Sequence, residues 1–200
     1  MNANSDLLPN NDVDIQIVAL AASAGGLKAL TILLSALPHD FPVPLVVVQH
    51  LSPHQPSMMA DILRRRIALP VTQAEEGDAL RPGHVYLAPP GKHLLVTPQR
   101  LLSLTGTEKV HFVRPSADVL FESVAASFGR NAVAVILTGG DGDGAAGIQA
   151  VKRAGGITIA QDQATSESFS MPRNAIETGA VDYILPLEAI APMLMSLVCR

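Results

Sequence analysis

The order in which short apolar runs alternate with helical patterns constrains this chain most. IQIVAL, residues 15–20, has the β-branched content of a buried strand. From Gly25 the pattern turns helical, with Leu27, Leu30, Leu33, Leu34 and Leu37 at three- and four-residue spacing until Pro38 closes it. PLVVVQ at 44–49 is strand-like again, so strand, helix, strand predicts a β-α-β unit with parallel strands. A helix after Pro56 running through the arginines at 64–66, and a short strand in LPVTQA, continue the alternation. Residues 83–104, GHVYLAPPGKHLLVTPQRLLSL, break it: APPGK and TPQR separate short apolar pieces, as turns and antiparallel ribbons do. SADVLFESVAASF, AVAVILT at 132–138, GAAGIQAVKRAG, a strand at 157–161, a helix near 172–178, a strand at 181–184 and a helix from about 187 complete the order. The fold class predicted is α/β: one doubly wound, mostly parallel sheet with helices on both faces and a short antiparallel excursion.

Composition excludes several classes. With 14 Lys+Arg against 18 Asp+Glu, the formal charge of -4 argues against a chain dominated by nucleic-acid phosphate contacts, while a local basic patch stays open. The single cysteine, Cys199, rules out an intramolecular disulfide framework. The opening MNANSDLLPNNDVD is unlike a signal peptide, and no apolar run is long enough to cross a bilayer. A cytoplasmic protein without direct membrane insertion is the expectation. Residues 1–14 read as a flexible tail or linker remnant, and 15–200 as one domain.

Three segments at strand ends can carry chemistry. Ser23 in LAASAGG sits between the first strand and its helix, where Gly25 and Gly26 allow a sharp turn. It is either a nucleophile on an elbow or a helix cap or phosphate-binding serine, and the segment alone leaves both open. LAASAGG is a poor dinucleotide fingerprint, since it lacks GxGxxG, and no GxxxxGKS/T segment occurs. His50 ends the neighbouring strand, where a neutral imidazole can take the serine proton and return it to a leaving group. His54 resembles a metal partner only superficially, since Pro53 intervenes and no HExxH follows. The third segment is LTGGDGDGAAG at 137–147: Asp143 can orient His50 or cap the next helix, and Asp141 offers a competing carboxylate. The loop lacks the ligand run and closing glutamate of an EF-hand. Parallel strands deliver all three segments to one sheet edge, which a triad requires and independent caps do not. The order Ser, His, Asp, and the lack of GxSxG, point away from the α/β-hydrolase family to a convergent serine hydrolase on another doubly wound sheet.

The chain also resembles a known family. AASAGG, VVVQH, VYLAPPGKHL, VRPSADVLFESVA, VILTGGDGDGAAG, AQDQATSESFSMPRNAI and GAVDYILPL, in that order from about Ile15 to near Leu187, are similar to the catalytic domain of bacterial chemotaxis methylesterases, the protein-glutamate methylesterase and protein-glutamine glutaminase family. The resemblance implies Ser23 as nucleophile, His50 as base and acid, Asp143 as the orienting carboxylate, and the backbone N–H groups of Ala24 and Gly140 as oxyanion hole. It implies no metal and no cofactor. This sequence departs from the family pattern at Ala21, Ala24 and Gly140, where glycine, threonine and methionine are usual, and reads TGGDGDG where TGMGxDG is common.

The activity implied is hydrolysis of glutamyl methyl esters on chemoreceptor cytoplasmic helices, with glutamine deamidation allowed beside it. The implied partners are those methylated helices and, in a parent protein, a receiver domain or chemotaxis regulator. No receiver domain is expected within this chain. Two alternatives stay open from the residues: a non-catalytic receptor- or regulator-binding domain, and a small-ester serine hydrolase.

Overall fold

The computed structural model describes residues 14–50 and 58–198. Most of the expected tail, His54 and Cys199 lie outside the described residues.

Strand β1 (Ile17–Ala22) leads into helix α1 (Gly26–Ser35), and β2 (Leu45–Gln49) returns beside β1 in parallel. Then come α2 (Met59–Arg64), β3 (Val71–Gln73), β4 (Val85–Leu87), β5 (His93–Val96) and β6 (Leu102–Thr105). Helix α3 (Ala117–Phe128), β7 (Ala132–Ile136), α4 (Ala145–Arg153), β8 (Ile157–Gln161), α5 (Ser170–Glu177), β9 (Tyr183–Leu185) and α6 (Leu187–Val198) complete it. Seven strands form one sheet in the order β3-β4-β2-β1-β7-β8-β9, and every neighbouring pair is parallel.

The strands are continuous apolar runs because both faces of the sheet are covered. Val18, Leu20, Val47 and Val135 point into a core completed by α1, α2 and α6, while Ile17, Ala19, Val46 and Ala134 point into a second core under α3, α4 and α5. The chain builds outward from β1 on one side through β2 and then returns to build the other side from β7. The switch point therefore lies at β1, between β2 and β7.

One expectation is corrected. The ribbon predicted over 83–104 exists as β5 and β6, which pair antiparallel, but Val85–Leu87 joins the main sheet parallel to β2 and β3. Its short VYL run is buried on both sides, Val85 in one core and Tyr86 in the other. That double burial is a tertiary property, and the turn residues flanking VYL conceal it. No helix among the described residues is long and apolar enough to cross a membrane.

Candidate active site

The sheet register brings the first two candidates together. Ala22 and Gln49 are paired residues of β1 and β2, so Ser23 and His50 are the next residues out on adjacent parallel strands. The His50 N–H donates to the Ala22 carbonyl at 3.0 Å, carrying the ladder one step beyond the strands. Gln49 then clamps both: its Nε2 donates to the carbonyls of Ser23 (2.8 Å) and His50 (3.0 Å). Its Oε1 lies so close to Gly26 that a β-carbon there would stand 1.9 Å from it, which explains a glycine at this helix start. Gly25 before it adopts φ 77°, the left-handed conformation that turns β1 sharply into α1.

The loop after β7 closes the site. Ser23 N–H donates to the Thr138 carbonyl (2.9 Å), and the Thr138 hydroxyl donates to the Ala24 carbonyl (2.9 Å) while accepting the Ser168 N–H (2.9 Å). Gln161 at the end of β8 accepts the Thr138 N–H at 2.9 Å, so Gln49 and Gln161, which end β2 and β8, and Thr138, just past β7, set the edge. Gly139 passes so close to the Ser23 turn that a β-carbon on it would stand 3.0 Å from Ser23 Cβ and 2.0 Å from Met171 Sδ. The N–H groups of Ala24 and Gly140 donate to no acceptor among the described residues, and both residues are exposed at this edge. Gly140 also has space for a side chain: a β-carbon would meet only Ser168 Oγ, at 3.8 Å.

Asp143 is the most tightly held member. Its side chain is fully buried, and Oδ2 bonds His50 Nε2 at 2.8 Å. The same carboxylate accepts the Ser116 hydroxyl (2.7 Å) and the amides of Ala117 (2.5 Å) and Asp118 (3.2 Å) at the start of α3. A carboxylate on a helix N-terminus is favoured by the amides and by the helix dipole. Burial would push its pKa up, but the bonds from His50, Ser116 and Ala117 overcome this and hold it below the ordinary carboxylate range. Sequence reasoning missed a support behind it. His93 is fully buried, accepts the Ser116 N–H on Nδ1 (3.1 Å) and reaches the Glu108 carbonyl through Nε2 (3.0 Å), fixing the helix start on which Asp143 rests.

Three of the expected groups thus converge, but they are not joined as one hydrogen-bonded chain. His50 and Asp143 are bonded, whereas Ser23 Oγ has no hydrogen-bond partner among the described residues. The other ring nitrogen of His50 is taken by Asp141, with Nδ1 3.0 Å from Oδ2. Burial would lower the His50 pKa, but hydrogen bonds and charge from Asp141 and Asp143 raise it to about 9. His111, Asp118 and Asp143 bring potential metal ligands within 4.8 Å of one another. The Asp118 carboxylate is held by His111 (3.1 Å) and the Gly147 N–H (2.7 Å), while its own backbone N–H donates to Asp143. A cavity of about 350 Å³ lined by Gln16, Pro44 and Phe128 lies at the start of β1 and β2, away from these residues.

Doubly wound sheets place their ligand sites at such a switch point, and acyl-transferring hydrolases are the class whose chemistry calls for a hydroxyl, an imidazole and a carboxylate there. Comparison with known proteins narrows the class. The CheB methylesterase family model matches residues 18–194, and the chain belongs to that family. A Leptospira interrogans relative, provisionally named protein-glutamate methylesterase/protein-glutamine glutaminase, is 38% identical over 92% of this chain and 96% of its own. Protein-glutamate methylesterase FrzG of Myxococcus xanthus is 43% identical over 90% of this chain, which spans 54% of that protein. The crystal structure of the Thermotoga maritima CheB methylesterase catalytic domain superposes with a TM-score of 0.89 at 38% identity, covering 93% of this chain and all of that one.

Proposed function

We propose that this chain is a serine-type protein-glutamate methylesterase acting on methylated cytoplasmic helices of chemoreceptors, with glutamine deamidation as a second reaction of the same site. The observation that carries the reading is the meeting of Ser23, His50 and Asp143 beyond β1, β2 and β7, beside two amides that donate to nothing among the described residues. Ser23 Oγ attacks the side-chain carbonyl carbon; the O–C bond forms, the carbonyl π pair moves to oxygen, and the hydroxyl proton passes to His50. Because Asp143 holds Nε2, the nitrogen that serves the serine is Nδ1, once Asp141 gives it up.

The resulting oxyanion is placed for the N–H groups of Ala24 and Gly140, which need no particular side chain to act. On collapse the C–OCH₃ bond breaks and methanol leaves with the proton from His50. Water then attacks the acyl-serine, His50 takes its proton, and glutamate and free Ser23 are released. With a glutamine substrate, ammonia replaces methanol. The exposed edge around Ala24 and Gly140 suits a side chain presented by a helix rather than an engulfed small molecule. The reaction belongs in the cytoplasm, where receptor signalling helices are found, and a receiver domain or chemotaxis regulator in a parent protein is the partner that would control it.

The test is methanol release from a methylated receptor fragment, measured beside hydrolysis of a simple ester. Release from the receptor fragment, abolished in Ser23→Ala, is the expected result. Turnover of the simple ester alone identifies a small-ester hydrolase, and receptor binding without turnover identifies an interaction module.

A further inference from the structure

His50 is held by two carboxylates at once, through Nε2 to Asp143 at 2.8 Å and through Nδ1 to Asp141 at 3.0 Å. An ionised carboxylate only accepts hydrogen bonds, so a ring bonded in this way carries a proton on each nitrogen. Such a ring has no lone pair to receive a proton from Ser23. We propose, resting on the roles given above to Ser23 and His50, that Asp141 is a positioning residue that latches His50 in its doubly protonated form and must release Nδ1 before the serine can be activated.

Several independent features fit a latch rather than a second structural acid. Asp141 is anchored: its Oδ1 accepts the Asp143 N–H (3.1 Å) and its carbonyl accepts from Asn174 Nδ2 (3.2 Å). Yet its side chain is 33% exposed where that of Asp143 is 0%, so one carboxylate is walled in and the other stands at the solvent boundary. Gly140 and Gly142 flank it. Ser23 Oγ, which would otherwise compete for Nδ1, is unpartnered among the described residues. Among those residues the charged groups acting on His50 come from this one turn, Asp141 and Asp143; from α3, Asp118 lies against Asp143 and pairs with His111. The raised pKa of His50, about 9, is what two such neighbours produce against burial.

The proton balance follows. In the latched state the imidazolium has no basic nitrogen. On release, the Nδ1 proton goes to solvent, while the Nε2 proton stays on the ring facing buried Asp143. The bare Nδ1 lone pair then repels the Asp141 carboxylate and accepts the Ser23 hydroxyl. Activity is therefore expected to rise toward alkaline pH, with Asp141 setting where it rises.

The test uses the full chain and the variants Asp141→Gly and Asp141→Asn. Two readouts are followed across the His50 titration: kcat/KM on a methylated receptor fragment, and the imidazole ¹⁵N shifts of His50, assigned with His50→Gln. For the native chain, both midpoints are expected near 9. In the variants both move acidward by about one unit or more, so that the rate near neutral pH rises about tenfold. Unchanged midpoints in both variants, or slower turnover than native at every pH, overturn the latch. A shifted NMR midpoint with no turnover by any of the proteins supports the hold of Asp141 on His50 and overturns the esterase reading instead.

Discussion

The two sides of His50 are built on opposite principles. Toward Asp143 everything is saturated: a fully buried carboxylate takes His50, a hydroxyl and two helix-start amides, and His93 braces the helix from behind. Toward Ser23 the site is open: among the described residues the hydroxyl has no partner and two amides donate to nothing, and the carboxylate that reaches His50 there is one-third exposed. A preorganised orienting group costs no reorganisation during reaction, and a reacting edge must stay unpaired to receive substrate. The difference teaches which residues can be altered without collapse and which cannot.

The largest effect is expected where the open side loses its reacting group. Ser23→Ala removes the oxygen proposed to attack from a half-buried turn position, so the fold should persist while turnover falls about 10⁴-fold or more. His50→Ala should act alike. Circular dichroism beside methanol release checks both, and near-native turnover by folded Ser23→Ala would remove it as nucleophile.

Next comes the saturated side. Asp143→Asn replaces one acceptor oxygen with a donor amide facing the donors of Ser116, Ala117 and Asp118. Turnover should fall about 10³-fold to 10⁴-fold and stability by about 3 kcal/mol. Asp141→Asn should destabilise far less. Comparable losses in urea unfolding for the two variants would erase the contrast between the sides.

A smaller loss tests the clamp that joins them. Gly26→Ala would drive a β-carbon to within 1.9 Å of Gln49 Oε1 and 2.8 Å of Ala22 Cβ. The cost should be about 1–3 kcal/mol, with kcat reduced more than KM is changed, because Gln49 holds the carbonyls of both Ser23 and His50. Partial recovery of stability in Gly26→Ala/Gln49→Ala, without recovery of kcat, would separate the packing from the positioning.

Much of this architecture was legible in the sequence because burial on both faces leaves an unambiguous mark. β1, β2, β7 and β8 are largely aliphatic runs ended by turn residues; Ser23 and His50 directly follow β1 and β2, and Asp143 lies in the glycine-rich loop after β7. β4 escaped because three residues between turns carry no periodicity, and its direction is set by pairing with β2 and β3. The sequence named Asp141 as a competing carboxylate but could not say which ring nitrogen it takes, since that depends on how one glycine-flanked turn rotates. Gln49 and Gln161 did leave a signal: a polar residue ending a strand that is otherwise wholly apolar has to be satisfied by the loops of that edge.

The smallest expected effect concerns pH and separates the two carboxylates thermodynamically. His50 has a folded pKa of about 9, above its ordinary 6.5, so its contribution is fully present below 6.5 and is lost as pH rises through 9. Asp143 runs the other way: its pKa is depressed, so its contribution is present above 3.8 and is lost as pH falls below that value. Between these limits the saturated side and the latch both stabilise the fold. Above them only the latch is released, because a neutral ring keeps its Nε2 proton on buried Asp143. Asp141→Asn removes one of the two charges that raise the His50 pKa, so the alkaline decline should be shallower than in the native chain. A difference on the order of 1 kcal/mol is expected in urea unfolding between neutral and strongly alkaline pH. Parallel declines in the two proteins would mean that Asp143 alone holds the histidine proton, and the open side would then contribute nothing to the titration.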